Sequence, residues 1–214
     1  MDLGIKNKKA LIMASSKGLG KSVALELARE GAEIMICGRN KDTLVEATNE
    51  IIQLTKSKVH YVVADVSSSE DRAKLLSELY AKMGGADILI CNSGGPPLGK
   101  FESHDLEAWK DAFSLLLEST VGMIKGNLPY MKKQGWGRII TITSQAVKQP
   151  VEGLVLSNSV RASIVGLVKT LSNELGSYQI TVNNVMPGYT QTKRLESLLA
   201  ANPNLAKVTD EIPL

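Results

Sequence analysis

The sequence predicts a single α/β domain, residues 1–214, built on a doubly wound parallel sheet. Six short apolar runs are continuous rather than alternating, as in strands buried on both faces, and longer segments of helical period separate them. A length of 214 residues suits one domain around one core.

The elements follow in order. The first run, Ala10 to Met13, enters Ala14-Ser15-Ser16-Lys17-Gly18-Leu19-Gly20 and then a helix from Lys21 to Arg29. Val23, Ala24, Leu27 and Ala28 make one stripe on that helix, and Gly31 stops it. The run Ile34 to Cys37 precedes a helix from Thr43 to Leu54, and the run Val59 to Ala64 precedes one from Glu70 to Met83. The run Ile88 to Cys91 leads, through the stiff small-residue segment Gly94-Gly95-Pro96-Pro97-Leu98-Gly99, to a long helix from Trp109 to Met131. The run Ile139 to Thr143 precedes a helix from Ser159 to Leu175, and Ile180 to Val185 is the last run. No repeat, linker or low-complexity segment divides the chain.

Composition excludes several classes. A net charge of +3 with intermixed signs leaves no electrostatic footprint for nucleic acid, and 4% aromatics is too few for a base-stacking surface. Cys37 and Cys91 each close an apolar run, and only His60 and His104 supply imidazole, so no metal site is expected. Met1 to Lys6 lacks the apolar run of a leader, and no stretch is long enough to span a bilayer; the expectation is a soluble cytoplasmic protein.

A strand, a tight glycine turn and a helix amino terminus together make an anion site from unpaired N–H groups and the helix dipole. Gly20-Lys21-Ser22 also matches the end of a P-loop, which keeps a nucleotide hydrolase as an alternative, although Ser15 stands where that motif needs glycine. The second strand ends at Cys37-Gly38-Arg39-Asn40, where a dinucleotide fold meets the adenosine ribose. An acidic residue there would bind the 2′-hydroxyl of NAD, whereas Arg39 with Lys17 suits the 2′-phosphate of NADP(H).

With these motifs in order, the chain resembles the short-chain dehydrogenase/reductase family, of the kind that includes 3-oxoacyl-carrier-protein reductases. Met13 to Gly20 is similar to the family's TGxxxGxG, Asp65-Val66 to its adenine-contacting pair, and Cys91-Asn92-Ser93-Gly94 to its NNAG. Thr143-Ser144 falls where the catalytic serine ends the fifth strand, and Pro187-Gly188 with Thr190 and Thr192 resembles the loop that holds the nicotinamide. The resemblance implies a Rossmann-type fold, NADP(H), a small carbonyl or alcohol substrate and a homodimer or homotetramer. It implies cofactor contacts from Ala14, Ser16, Lys17, Gly18, Leu19, Gly20, Arg39, Asp65, Val66, Asn92, Gly94, Arg161, Pro187, Gly188 and Thr190. It also implies a further helix and strand beyond Leu214, and pairing of subunits through apolar residues such as Leu115, Leu117, Val121, Ile164 and Leu167.

The departures are equally definite. Ala14 replaces the first glycine of the phosphate turn, Ser157 the tyrosine, Arg161 the lysine four residues later and Leu116 the structural asparagine. The catalytic positions therefore read Ser144, Ser157 and Arg161. A phenol, whose pKa of about 10 a neighbouring cation lowers, can protonate a nascent alkoxide; a serine is a far weaker acid and arginine relays no proton. Hydride transfer itself is cofactor chemistry and needs no tyrosine. The expectation is an oxidoreductase with an altered site, the alternative a non-catalytic NADP(H)-binding sensor or partner subunit. Tyr189 and Lys148 are the candidate substitutes.

Overall fold

The computed structural model describes residues 2–201. Six parallel strands, β1 (Lys9–Ile12), β2 (Glu33–Gly38), β3 (Val59–Val63), β4 (Ile88–Cys91), β5 (Gly137–Ile142) and β6 (Ile180–Val185), form one sheet in the order β3-β2-β1-β4-β5-β6. Strand side chains alternate between two cores. Leu11, Met35, Leu89 and Ile139 face α3 (Ser69–Met83), α5 (Ser119–Gln134) and α6 (Val155–Leu175); Ala10, Ile12, Ile34, Ile36, Ile88 and Ile90 face α1 (Gly18–Arg29) and α2 (Lys41–Thr55). Burial on both faces is why the runs carry no polar alternation. Helices α4 (Leu106–Phe113) and α7 (Lys193–Ala201) complete the α-helices among the described residues.

The connection leaving β1 passes to the α1 face and that leaving β4 passes to the opposite face, so a crevice opens at the carboxyl ends of these neighbours. Every strand-to-helix loop that carries a candidate residue ends at that edge. The P-loop alternative is corrected here. The order 3-2-1-4-5-6 is that of a dinucleotide fold, and Lys21, which a P-loop would turn onto phosphates, is ion-paired with Glu50 on α2.

The long helix expected from Trp109 to Met131 is instead two helices joined by one π turn, Ser114–Glu118. The hydroxyls of Ser119 and Thr120 donate to the carbonyls of Leu115 and Leu116, competing with the helical ladder at that point. Hydrophobic periodicity is blind to such a local insertion. The further helix and strand expected beyond Leu214 lie outside the described residues.

Helix α5 is pinned to the start of β4 by Asn127, which is fully buried. Its amide donates to Ala86 O at 2.8 Å, and its Oδ1 accepts from Ala86 N at 2.9 Å. Asn127→Ala leaves both backbone groups unpaired, and we expect a loss of about 2–4 kcal/mol in unfolding free energy at this cost per buried group. Chemical denaturation measures it; a loss too small to resolve would contradict the pinning role.

Candidate functional site

An open cleft of about 890 Å³ runs along the carboxyl edge of the sheet. Its floor begins at the β1–α1 turn. Ser15 is fully buried there, its hydroxyl donating to Ile12 O at 2.6 Å and accepting from Cys37 N at 3.2 Å, which ties the turn to β2. Asn92, just past β4, donates from Nδ2 to Ala14 O at 3.2 Å and ties the turn to the other neighbour. Gly20 is required by crowding: a Cβ there would lie 2.6 Å from Ala14 O and 2.8 Å from Ser15 Cα. Ala14 has φ of 47° in the left-handed region, where the family's glycine would be unstrained.

The amino end of α1 is open. Side chains of Asn40, Ser68 and Asp105 cap α2, α3 and α4, whereas Lys17 gives α1 no side-chain cap and its first turn holds no acid. Uncapped N–H groups facing a cleft are what a dinucleotide's pyrophosphate requires. The residues present therefore fit such a group. Cys37 and Cys91 lie buried beneath this region, and burial pushes both thiols up to about 12, so neither is a nucleophile at neutral pH.

Of the sequence candidates, Ala14, Ser16, Lys17, Gly18, Leu19, Arg39, Asn92, Gly94, Ser144, Ser157, Arg161, Pro187, Gly188 and Thr190 all line this one cleft. Three do not. Gly20 is buried under the turn, Val66 is buried behind β3, and Asp65 stands at the rim. Asp65 meets Arg39 at 3.8 Å. Burial raises the Asp65 pKa, but hydrogen bonds from Ser67 and the Arg39 charge outweigh it and hold the carboxyl below the usual range. Thr192, named with the Pro187-Gly188 loop, lines the cleft as well; sequence reading missed Gln145 and Leu154, which carry no type-specific signal, and Lys193, which stands four residues after Tyr189. Lys148 is exposed and outside the lining, so the structure removes it as a substitute.

At the far end of the cleft Arg161 is buried, its side chain crossing under α6. Nη1 donates to Ile142 O at 3.1 Å and Thr143 O at 3.5 Å, Nη2 donates to Gly94 O at 3.3 Å, and Nε donates to Ser157 Oγ at 3.2 Å. This guanidinium braces β5, the loop after β4 and α6 together, a task that needs arginine's planar fork. It also polarises the Ser157 hydroxyl, leaving that proton directed to another acceptor. Ser144 Oγ accepts from Ala146 N at 3.1 Å, so its proton too is available. Leu116 is buried against Leu156 and Val160 of α6 in an apolar cluster that also holds Ala112.

A parallel sheet in this order, with an anion-ready helix terminus at its switch point and paired hydroxyl donors beyond it, defines a dinucleotide-binding oxidoreductase of the Rossmann class. The family model for short chain dehydrogenase matches residues 8–203. The chain is 32% identical over 207 residues to a D-beta-hydroxybutyrate dehydrogenase from Rhizobium meliloti (95% of this chain, 80% of the relative). It is 29% identical over 214 residues to a 3-oxoacyl-[acyl-carrier-protein] reductase from Aquifex aeolicus (100% and 86%). The L-sorbose reductase of Gluconobacter frateurii, solved with NADPH and L-sorbose, superimposes with a TM-score of 0.92 at 31% identity, covering 99% of this chain and 84% of that one. The chain belongs to the short-chain dehydrogenase family, whose members transfer hydride between a nicotinamide cofactor and a carbonyl or alcohol carbon.

The strain at Ala14 is testable. A left-handed non-glycine residue costs about 1–2 kcal/mol, and glycine's extra chain entropy costs about 0.5–1 kcal/mol. Ala14→Gly is therefore expected to raise the denaturation midpoint slightly; a clear fall in midpoint would refute the strain.

Proposed function

We propose that the chain is an NADP(H)-dependent oxidoreductase acting on a small carbonyl or alcohol through an altered proton-handling site. The observation that carries the cofactor choice is the pair of cations at the adenosine end of the cleft, with no carboxylate directly after β2. Arg39 is 81% exposed and its contact with Asp65 is long. Such a surface pair is worth about 0–1 kcal/mol, so turning Arg39 onto a phosphate, where its fork binds bidentately, forfeits little. Lys17 flanks the same place. The relative solved with NADPH accords with this reading.

The cofactor, when bound, supplies the hydride. The chain's own groups do the rest: the uncapped end of α1 takes the pyrophosphate, and Thr190 with the Pro187-Gly188 turn borders the nicotinamide end. The hydroxyls of Ser144 and Ser157 donate to the substrate oxygen. A second reading, a non-catalytic NADP(H)-binding protein, draws support from the apolar seal at Leu116 and from Arg161 acting as a brace. Binding with no turnover of any carbonyl would favour it. A cytoplasmic location accords with two buried unpaired thiols, and no helix among the described residues is long and apolar enough to cross a membrane.

In a fluorescence titration NADPH should bind more tightly than NADH, and Arg39→Asp should invert the order. Equal affinity for both would refute the assignment.

We further propose a symmetric dimer or tetramer. Leu115, Leu117, Val121 and Leu167 are half-buried, and Leu106 and Phe113 on α4 stand exposed. Ile164, expected among the pairing residues, is buried in the core instead. Light scattering at micromolar concentration should report more than one subunit; a monomer would count against assembly through these helices.

A further inference from the structure

The cleft offers the Ser144 hydroxyl just after β5 and, from α6, the Ser157 hydroxyl and the permanently charged Arg161 guanidinium, none of which is a competent acid near neutral pH. A phenol does stand in the cleft, on the loop after β6. Tyr189 is half-buried and is the one tyrosine among the described lining residues. The arm that carries it is anchored at both ends. Pro187 O accepts from Gln145 N at 3.0 Å, next to Ser144, and a Cβ on Gly188 would lie 3.4 Å from Gln145 Oε1. At the other end, a Cβ on Gly18 of the phosphate turn would lie 3.6 Å from Thr192 Cγ2. Thr192 Oγ1 in turn accepts from Leu195 N at 3.4 Å, fixing the arm to the start of α7. Tyr189 thus lies on a strap running from the serine end of the cleft to the phosphate turn. Lys193, four residues on, brings an ammonium into the same wall.

We propose that Tyr189 is the general acid of this protein, acting from the strap rather than from α6. The inference rests on the NADP(H)-dependent reading above. As the hydride and its electron pair reach the carbonyl carbon, the C=O π pair becomes a lone pair on oxygen. The O–H bond of Tyr189 breaks toward that oxygen, an O–H bond forms on the product, and solvent reprotonates the phenolate. Ser144 and Ser157 hold the oxygen by hydrogen bonds throughout.

Two measurements on the full chain test it. In the first, tetranitromethane nitrates tyrosines with and without NADPH, and peptide mass spectrometry reads the sites; NADPH should suppress nitration at Tyr189. In the second, wild type and Tyr189→Phe are compared for NADPH binding and for reduction of a panel of simple ketones. Binding should be retained while turnover falls about 10²–10⁴-fold, the usual worth of a positioned acid. Unprotected nitration, undiminished turnover in Tyr189→Phe, or absent turnover in both forms with NADPH bound each overturns the proposal. Failure of NADPH to bind wild type sinks the cofactor reading itself, and this inference with it.

Discussion

The adjacency of β1 and β4, whose chains depart to opposite faces of the sheet, is the constraint on which the rest depends. It leaves a crevice that no helix of either layer can cover. The sequence spends its special residues on keeping that crevice in shape. Ser15 holds the phosphate turn to β2, Asn92 holds it to β4, and Gly20 allows the turn to lie against its own helix. Strain at Ala14 is tolerated because tethers on both sides over-determine the turn. The open end of α1 is a consequence of the same geometry: the turn arrives through Lys17, and no short polar side chain is left to close it.

Arg161 plays the corresponding part at the other end. A lysine there would present one compact charge to a ribose or a phenol, whereas a guanidinium can serve several carbonyls at once. The observed hydrogen bonds reach three backbone carbonyls from two strand ends as well as Ser157. Burying a cation is costly unless it is hydrogen-bonded, and these acceptors supply the compensation. Arg161 therefore acts as a strut between α6 and the ends of β4 and β5. Ser157 gains from this contact, because a hydroxyl accepting from a cation is a better donor.

Most of the fold was legible because parallel strands buried on both faces leave an unbroken apolar record, and six of them stood at the spacing of βαβ units. The β1–α1 turn was legible for a different reason: its chemistry is local, a few residues in a row. What escaped notice was non-local or sub-periodic. The π turn before α5 arises from two hydroxyls competing for carbonyls, which leaves the hydrophobic period unchanged. Ile164, expected at a subunit interface, is core because a helix packed on a sheet and against a neighbour buries more than one stripe. The role of Arg161 was hidden, since its acceptors are backbone carbonyls 18 to 67 residues away in the chain. Gln145 matters through what it touches, and no residue type announces that.

The two halves of the reaction chemistry have separated in this chain. The hydride half depends on cofactor geometry, and the turn, the open helix end and the Pro187-Gly188 strap that would hold it are all in place. The proton half, by the family resemblance, calls for a phenol beside a cation on α6, and α6 here presents the Ser157 hydroxyl beside the buried Arg161. A charge-assisted hydrogen bond contributes about 1.5–3 kcal/mol, while the loss of a general acid is worth roughly 3–5 kcal/mol of barrier. Polarised serines thus recover part of the deficit and leave a remainder only an acid can meet. The apolar cluster around Leu116 offers no acid on the α6 side. Among the described residues that line the cleft, the one phenol is Tyr189, on the loop after β6.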